Sequence, residues 1–97
     1  MRFEILLAPE AVEDLRNLKA NVRAEVRDAI EKHLRHEPEK ESKSRIKRLS
    51  GVSQPQYRLR VGETRVFYDI LGPSVQVLAI VSKEEATKWL SGAARRE

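Results

Sequence analysis

Apolar and polar residues alternate from the first residues of the chain. Phe3, Ile5 and Leu7 fall on one side and Arg2 and Glu4 on the other, a period of two that predicts a strand ending near Ala8. Pro9 suits the first turn of a helix, where its missing N–H leaves no bond unmade. The period then lengthens: Ala11, Val12, Leu15 and Leu18 recur at helical spacing. Val22, Val26, Ile30 and Leu34, flanked by Ala29 and His33, form a second seam, with Asn21 as its expected N-cap and a break at His36-Glu37-Pro38. A connector as short as Ala20-Asn21 predicts that the two helices lie antiparallel as a hairpin.

Glu39 to Gln56 is polar, and it reads as a loop held to the body by Ile46 and Leu49 alone. Clean alternation resumes at Tyr57-Arg58-Leu59-Arg60-Val61. Gly62-Glu63 then has the form of a two-residue type II′ hairpin turn, with glycine first, and Thr64 to Ile70 returns as the next strand. After a turn at Leu71-Gly72-Pro73-Ser74, Val75 to Val81 is apolar almost throughout, as a central strand is. Ser82 and Glu85 are spaced as a capping box for a short helix carrying Ala86, Trp89 and Leu90, with Gly92 placed to end it and Ala93 to Glu97 expected to fray. The pattern is β-α-α-β-β-β-α. It predicts an α+β fold over one domain, residues 1–97, in which a small twisted antiparallel sheet carries the N-terminal helical hairpin on one face and ends in a short C-terminal helix.

Composition narrows the chemistry. The chain has no cysteine, which excludes a disulfide scaffold and thiolate catalysis and argues against a zinc site; no metal or other cofactor is expected. There is no basic segment followed by a long apolar run, and no apolar stretch approaches a membrane span, so a cytoplasmic protein with no membrane partner is expected. Charge is unevenly spread. Residues 1–41 carry eight Lys/Arg and ten Asp/Glu, residues 42–65 carry seven against one, and residues 66–97 carry four of each. All of the net +4 therefore resides in one segment, a distribution that points to nucleic acid or an acidic partner.

That segment contains the hairpin. If Gly62-Glu63 is the loop, Val61 faces Thr64, Arg60 faces Arg65, Leu59 faces Val66, Arg58 faces Phe67 and Tyr57 faces Tyr68. With Ile70 facing Val75 across the second turn, Arg65 is expected beside Ile80 and Phe67 beside Leu78. One face then carries Tyr57, Leu59, Val66, Tyr68, Val77 and Ala79; the other carries Arg58, Arg60 and Arg65 among Phe67, Leu78 and Ile80. Like charges directly opposed on a sheet are destabilising. Either each arginine turns outward to an acid such as Glu63 or Asp69, or the three form a site for an anion, for which arginine offers bidentate donors and a permanent charge.

Leu49-Ser50-Gly51, Tyr57-Arg58-Leu59-Arg60-Val61-Gly62, Arg65-Val66-Phe67-Tyr68 and the apolar strand ending near Ser82-Lys83 resemble the RelE/ParE toxin superfamily of bacterial toxin–antitoxin modules. RelE-like members cleave mRNA on the ribosome, and ParE-like members inhibit DNA gyrase. The resemblance implies a toxin, and its RelE-like form implies an endoribonuclease that binds RNA and inhibits translation. Arg58 and Arg60 match the basic pair of that site, Arg65 the arginine of the following strand, and Lys83 the basic residue opening the C-terminal segment. Glu84 stands where the family often has a second arginine, and Leu90 where it often has a tyrosine, with Trp89 alongside. The implied partners are a cognate antitoxin, the ribosome and mRNA.

Metal-free RNA cleavage by 2′-OH attack on the adjacent phosphate needs a backbone clamp, cations for the phosphorane charge, a base and an acid. Arg58, Arg60 and Arg65 can clamp and stabilise charge; arginine stays protonated, so it is a poor base. Lys83 joins them as a candidate catalytic residue, with Glu84, Glu85, Tyr57 and Tyr68 as further candidates for proton transfer. Arg45, Lys47 and Arg48 are candidate RNA-binding residues on the preceding loop. His33 is expected to be a half-buried structural histidine and Trp89 a core anchor. Three readings stay open on the sequence: a ribosome-dependent mRNA endonuclease, a gyrase inhibitor acting by binding, and a non-catalytic RNA-binding module.

Overall fold

A computed structural model describes residues 2–95 of the chain. Strand β1 (Glu4–Leu7) leads into helix α1 (Pro9–Arg16) and helix α2 (Ala20–Ala29), and α2 runs on through a π-helical stretch over Ile30–Leu34. Strands β2 (Ile46–Arg48), β3 (Tyr57–Val61), β4 (Thr64–Leu71) and β5 (Ser74–Ser82) follow, then helix α3 (Lys83–Arg95). The architecture is α+β, with an open five-stranded sheet in the order β1-β5-β4-β3-β2.

The apolar seams read from the sequence converge in the core. Val26 and Leu34 of the helical hairpin meet Leu59, Val66, Tyr68, Val75 and Val77 of the sheet, all fully buried. Asn21 does not cap α2. The helix begins at Ala20, two residues before the start that cap would give it, with Lys19 in the capping position and no side-chain cap bond. In place of that cap, Arg23 fastens the hairpin by donating to the carbonyls of Leu15, Arg16 and Leu18.

Three features of the sheet go beyond the periodicity. The first is that β1 joins β5 in parallel while every other pairing is antiparallel, so the sheet is mixed. Alternation reports which face a side chain takes and says nothing of strand direction. Where β1 ends, α1 takes over that edge of β5: the N–H of Ile80 donates to Asp14 Oδ2 at 2.9 Å. Burial pushes the Asp14 carboxyl up, and the Ile80 bond works against that.

The second is β2, in a segment expected to be loop. Ile46 is 4% exposed and faces Leu59. Ser42 Oγ accepts from the N–H groups of Arg45 and Ile46 and so sets the entry to the strand. Arg48 occupies the position where alternation calls for a second apolar residue, and this hides the strand in the sequence. Its guanidinium lies 5.2 Å from the centre of the Tyr57 ring and donates to the Tyr57 hydroxyl, so it packs as an amphipathic side chain.

The third is a bulge in β5. The β3–β4 register is the expected one at all five positions, and Gly62 has the positive φ of 58° that its turn requires. Across β4–β5 the pairing slips between Phe67 and Tyr68, so that Phe67 faces Ala79 and Tyr68 faces Val77. Leu78 is passed over. Arg65 therefore stands beside Val81, not Ile80, and Ile80 turns into the core with Val66. A strand that is apolar on both sides carries no alternation to pin its register.

Helix α3 does not stop at Gly92 but continues to Arg95; residues 96 and 97 of the segment expected to fray lie outside the described residues. Its N-terminus is capped as expected, Ser82 Oγ accepting from the N–H of Glu85 at 3.2 Å. Trp89 anchors it by lying flat on Phe67.

Candidate nucleic-acid interface

The register of β2, β3 and β4 builds a basic face on the side of the sheet opposite the helical hairpin. Lys47 faces Arg58, and Arg58 faces Phe67; in the next row Arg60 faces Arg65. Arg45 adjoins that second row, because its carbonyl accepts from the N–H of Arg60 at 2.8 Å. Strand β2 thus brings two of the three candidate RNA-binding residues, Arg45 and Lys47, alongside the three candidate catalytic arginines. It separates the third: Arg48 alternates to the other face and packs on Tyr57.

The three hairpin arginines are not equivalent. Arg60 is exposed, Arg58 is half-buried and Arg65 is only 7% exposed. Arg65 folds back over its own turn, with Nη1 donating to the carbonyls of Gly62 and Thr64 at 2.9 and 3.1 Å. It braces the hairpin from inside, and its charge stays beneath the face. Arg58 is the centre of the cluster. Burial first, then the charges of Arg65 and Arg60, hold its guanidinium below the ordinary arginine range. Its Nε is buried and, among the described residues, has no hydrogen-bond partner.

Among the described residues no acid pairs with this charge. Among the described residues the ion pairs are Arg16–Glu13, Arg35–Glu31 and Lys40–Glu37, none of which involves the basic face. Asp69, one of the acids that could have met an arginine, is buried and committed elsewhere: it accepts from Gln54 Nε2 at 2.6 Å and from the N–H of Gln56 at 2.7 Å, docking the loop before β3. A buried donor with no acceptor, inside a group of like charges, is costly in the free protein and is relieved by an anion that supplies two or three oxygens.

Groups able to move a proton are sparse on this face. Lys83 is exposed at the start of α3, and its N–H donates to the Glu63 carbonyl, which places it at the hairpin loop. Glu84 and Glu85 are exposed in the same turn. Both tyrosines belong to the core. Tyr68 donates to the Pro38 carbonyl at 2.6 Å, Tyr57 stacks on it with ring centroids 5.5 Å apart, and burial pushes the Tyr68 phenol far up. Trp89 stacks on Phe67 at 4.9 Å and donates from Nε1 to Glu10 Oε1 at 3.0 Å, so it bounds the basic face and ties α3 to α1. His33 lies half-buried on the helical side. Among the described residues no group of three or more His, Asp or Glu side chains could hold a metal ion, and no helix is long and apolar enough to cross a membrane.

The family model for the ParE toxin of the type II toxin-antitoxin system parDE matches residues 5–87. Among solved structures, the RelBE2 toxin–antitoxin complex of Mycobacterium tuberculosis is similar with a TM-score of 0.73 at 21% identity, over 84% of this chain and 99% of that one. The free Escherichia coli toxin RelE, as a double arginine-to-alanine mutant, gives 0.73 at 21% identity over 99% and 98%. The RelB–RelE complex of Methanococcus jannaschii gives 0.68 at 21% identity over 87% and 96%. No curated protein matches the sequence.

Proposed function

The chain belongs to the ParE toxin family of type II toxin–antitoxin systems, within the RelE/ParE superfamily, and on that premise we propose that it is a ribosome-dependent mRNA endonuclease that inhibits translation in the cytoplasm. The observation that carries this reading is Arg58, a half-buried guanidinium ringed by Lys47, Arg60 and Arg65; among the described residues its Nε has no partner and no acid is ion-paired to any of the four.

In this reading the scissile phosphate sits against Arg58, which offers a bidentate grip, and Arg60 meets the charge that develops on the phosphorane. Arg65 keeps the hairpin in shape and contributes field from below. The 2′-OH attacks the neighbouring phosphorus and loses its proton, the bond to the 5′-oxygen breaks, and that oxygen is protonated as it leaves. Lys83, at the mouth of the hairpin, is the residue assigned to proton transfer; in its neutral form it takes a proton and as ammonium it gives one back. Arg45 and Lys47 contact flanking phosphates. The site uses no metal or cofactor. The ribosome orients the mRNA, and the controlling partner is a cognate antitoxin, as RelB is for RelE in the complexes named above.

A second reading is favoured by the family match itself: a ParE-like inhibitor that docks the same face on DNA gyrase and catalyses nothing. In vitro translation of a defined mRNA, read by primer extension, separates the two. Cuts at the ribosomal A site that vanish with Arg58→Ala support the endonuclease. Uncut mRNA together with inhibited gyrase supercoiling would replace it with the second reading.

A further inference from the structure

We infer that the basic face continues around the β3 edge into a second phosphodiester subsite, formed by Arg45 and Arg60 with Lys32 and His33 of the π-helical stretch. The inference rests on the RNA-binding reading, shares Arg45 and Arg60 with it, and extends it to Lys32 and His33 on the helical side, which that reading does not use.

The subsite exists because β2 gives out early. Its last residue pair toward the hairpin is Ile46 with Leu59, and the N–H of Arg60 still reaches the Arg45 carbonyl. Beyond that bond the edge of β3 opens into a cleft of about 800 Å³ between Val61 and the helical side. Arg60 belongs to both places: its charge acts on Arg58, and it also lines the cleft. A smaller cavity of about 150 Å³ continues past Lys32, His33 and Arg45 to Lys40 and Ser42. An RNA strand gripped at Arg58 therefore meets further donors at Arg60, Arg45, Lys32 and His33 as it leaves the sheet.

The charge balance selects a phosphate. Most acids near the run are engaged: Glu31 by Arg35, Glu37 by Lys40 at 3.6 Å, and Glu41 by the N–H of Arg48 at 3.0 Å. Glu25 and Asp28 stand on the α2 wall of the larger cleft, so the phosphate takes the Arg45 side. Lys32, Arg45 and Arg60 are exposed and form no ion pair among the described residues. His33 lies on that cationic side: after burial, it is the charges of Arg45 and Lys32 that disfavour its imidazolium.

The test is anisotropy of a fluorescein-labelled single-stranded RNA on the full chain, from about 50 to about 200 mM salt. Lys32→Ala/Arg45→Ala should weaken binding and flatten the slope of log K against log salt beyond Arg45→Ala alone, by about 0.7 for each further phosphate no longer neutralised. Lys19→Ala/Arg27→Ala, which removes two exposed cations outside the cleft, should leave the slope unchanged. A slope for the first double variant no flatter than that of Arg45→Ala alone, with binding still abolished in Arg58→Ala, overturns the subsite and leaves the clamp standing. Equal flattening in both double variants also overturns it, since net charge then accounts for the effect. Wild type that binds no RNA at the lowest salt overturns the clamp reading and the subsite with it.

Discussion

Lys47 stands directly across from Arg58 in the β2–β3 register, two cations facing each other on the side of the sheet away from the helices. The pair is a liability in the free protein, to which the buried Nε of Arg58 adds. Arg58→Met keeps most of the apolar stem and removes both costs. It should stabilise the free protein by about 0.5–1 kcal/mol, a rise of a few degrees in Tm, while abolishing RNA binding. Differential scanning calorimetry and anisotropy on the same sample check it. A destabilised Arg58→Met would mean that the guanidinium is already satisfied in the free state.

The Phe67–Trp89 stack, with planes 9° apart, is the anchor of α3 on the sheet. Aromatic pairs of this kind are worth about 0.5–1.5 kcal/mol beyond the area they bury. Trp89→Ala should therefore release α3 locally, before the core melts, and hydrogen exchange should speed up over residues 84–93 while Val66 and Tyr68 stay protected. Trp89→Phe keeps the stack and loses only the bond to Glu10, so it should preserve most of that protection.

Tyr68→Phe deletes the donor to the Pro38 carbonyl and leaves a buried acceptor unpaired. The expected cost is about 1–3 kcal/mol, measured as a shift in the urea midpoint. The pH dependence follows from the raised native pKa. Above about pH 10 the unfolded chain ionises this phenol and the native state does not, so the wild type loses stability as pH rises and Tyr68→Phe loses less.

His33 gives the opposite slope. Burial, then Arg45 and Lys32, hold its native pKa below the ordinary 6.5. The unfolded state therefore binds the proton first, and stability falls as pH drops through that value toward the native one. His33→Gln should flatten the urea-midpoint profile between about pH 7.5 and about pH 5.5. An identical profile in the variant would show that other groups carry the acid slope.

Periodicity alone was enough for the two-layer architecture and the β3–β4 pairing. The helical seam from Val22 to Leu34 and the alternation from Tyr57 to Val61 each leave one way to bury their apolar sides, and a two-residue turn at Gly62-Glu63 leaves one register. Hence Arg60 opposite Arg65 could be read from spacing. Strand β2 could not, because Arg48 breaks the alternation and its packing on Tyr57 becomes visible only once the ring is placed. The membership of Arg45 and Lys47 in the basic face was hidden for the same reason.

By itself the sequence determined the elements other than β2, the apolar faces of the helices and of β1, β3 and β4, and the concentration of charge in residues 42–65, since these depend only on local spacing and side-chain chemistry. Only the tertiary structure decided the parallel union of β1 with β5, the slip at Leu78, the burial of Arg65 and the isolation of Arg58. Each of these depends on what a side chain or a strand edge meets across the fold. Hydrophobic pattern records which way a residue faces; it does not record the partner, the direction of the neighbouring strand or whether a charge finds its counter-ion.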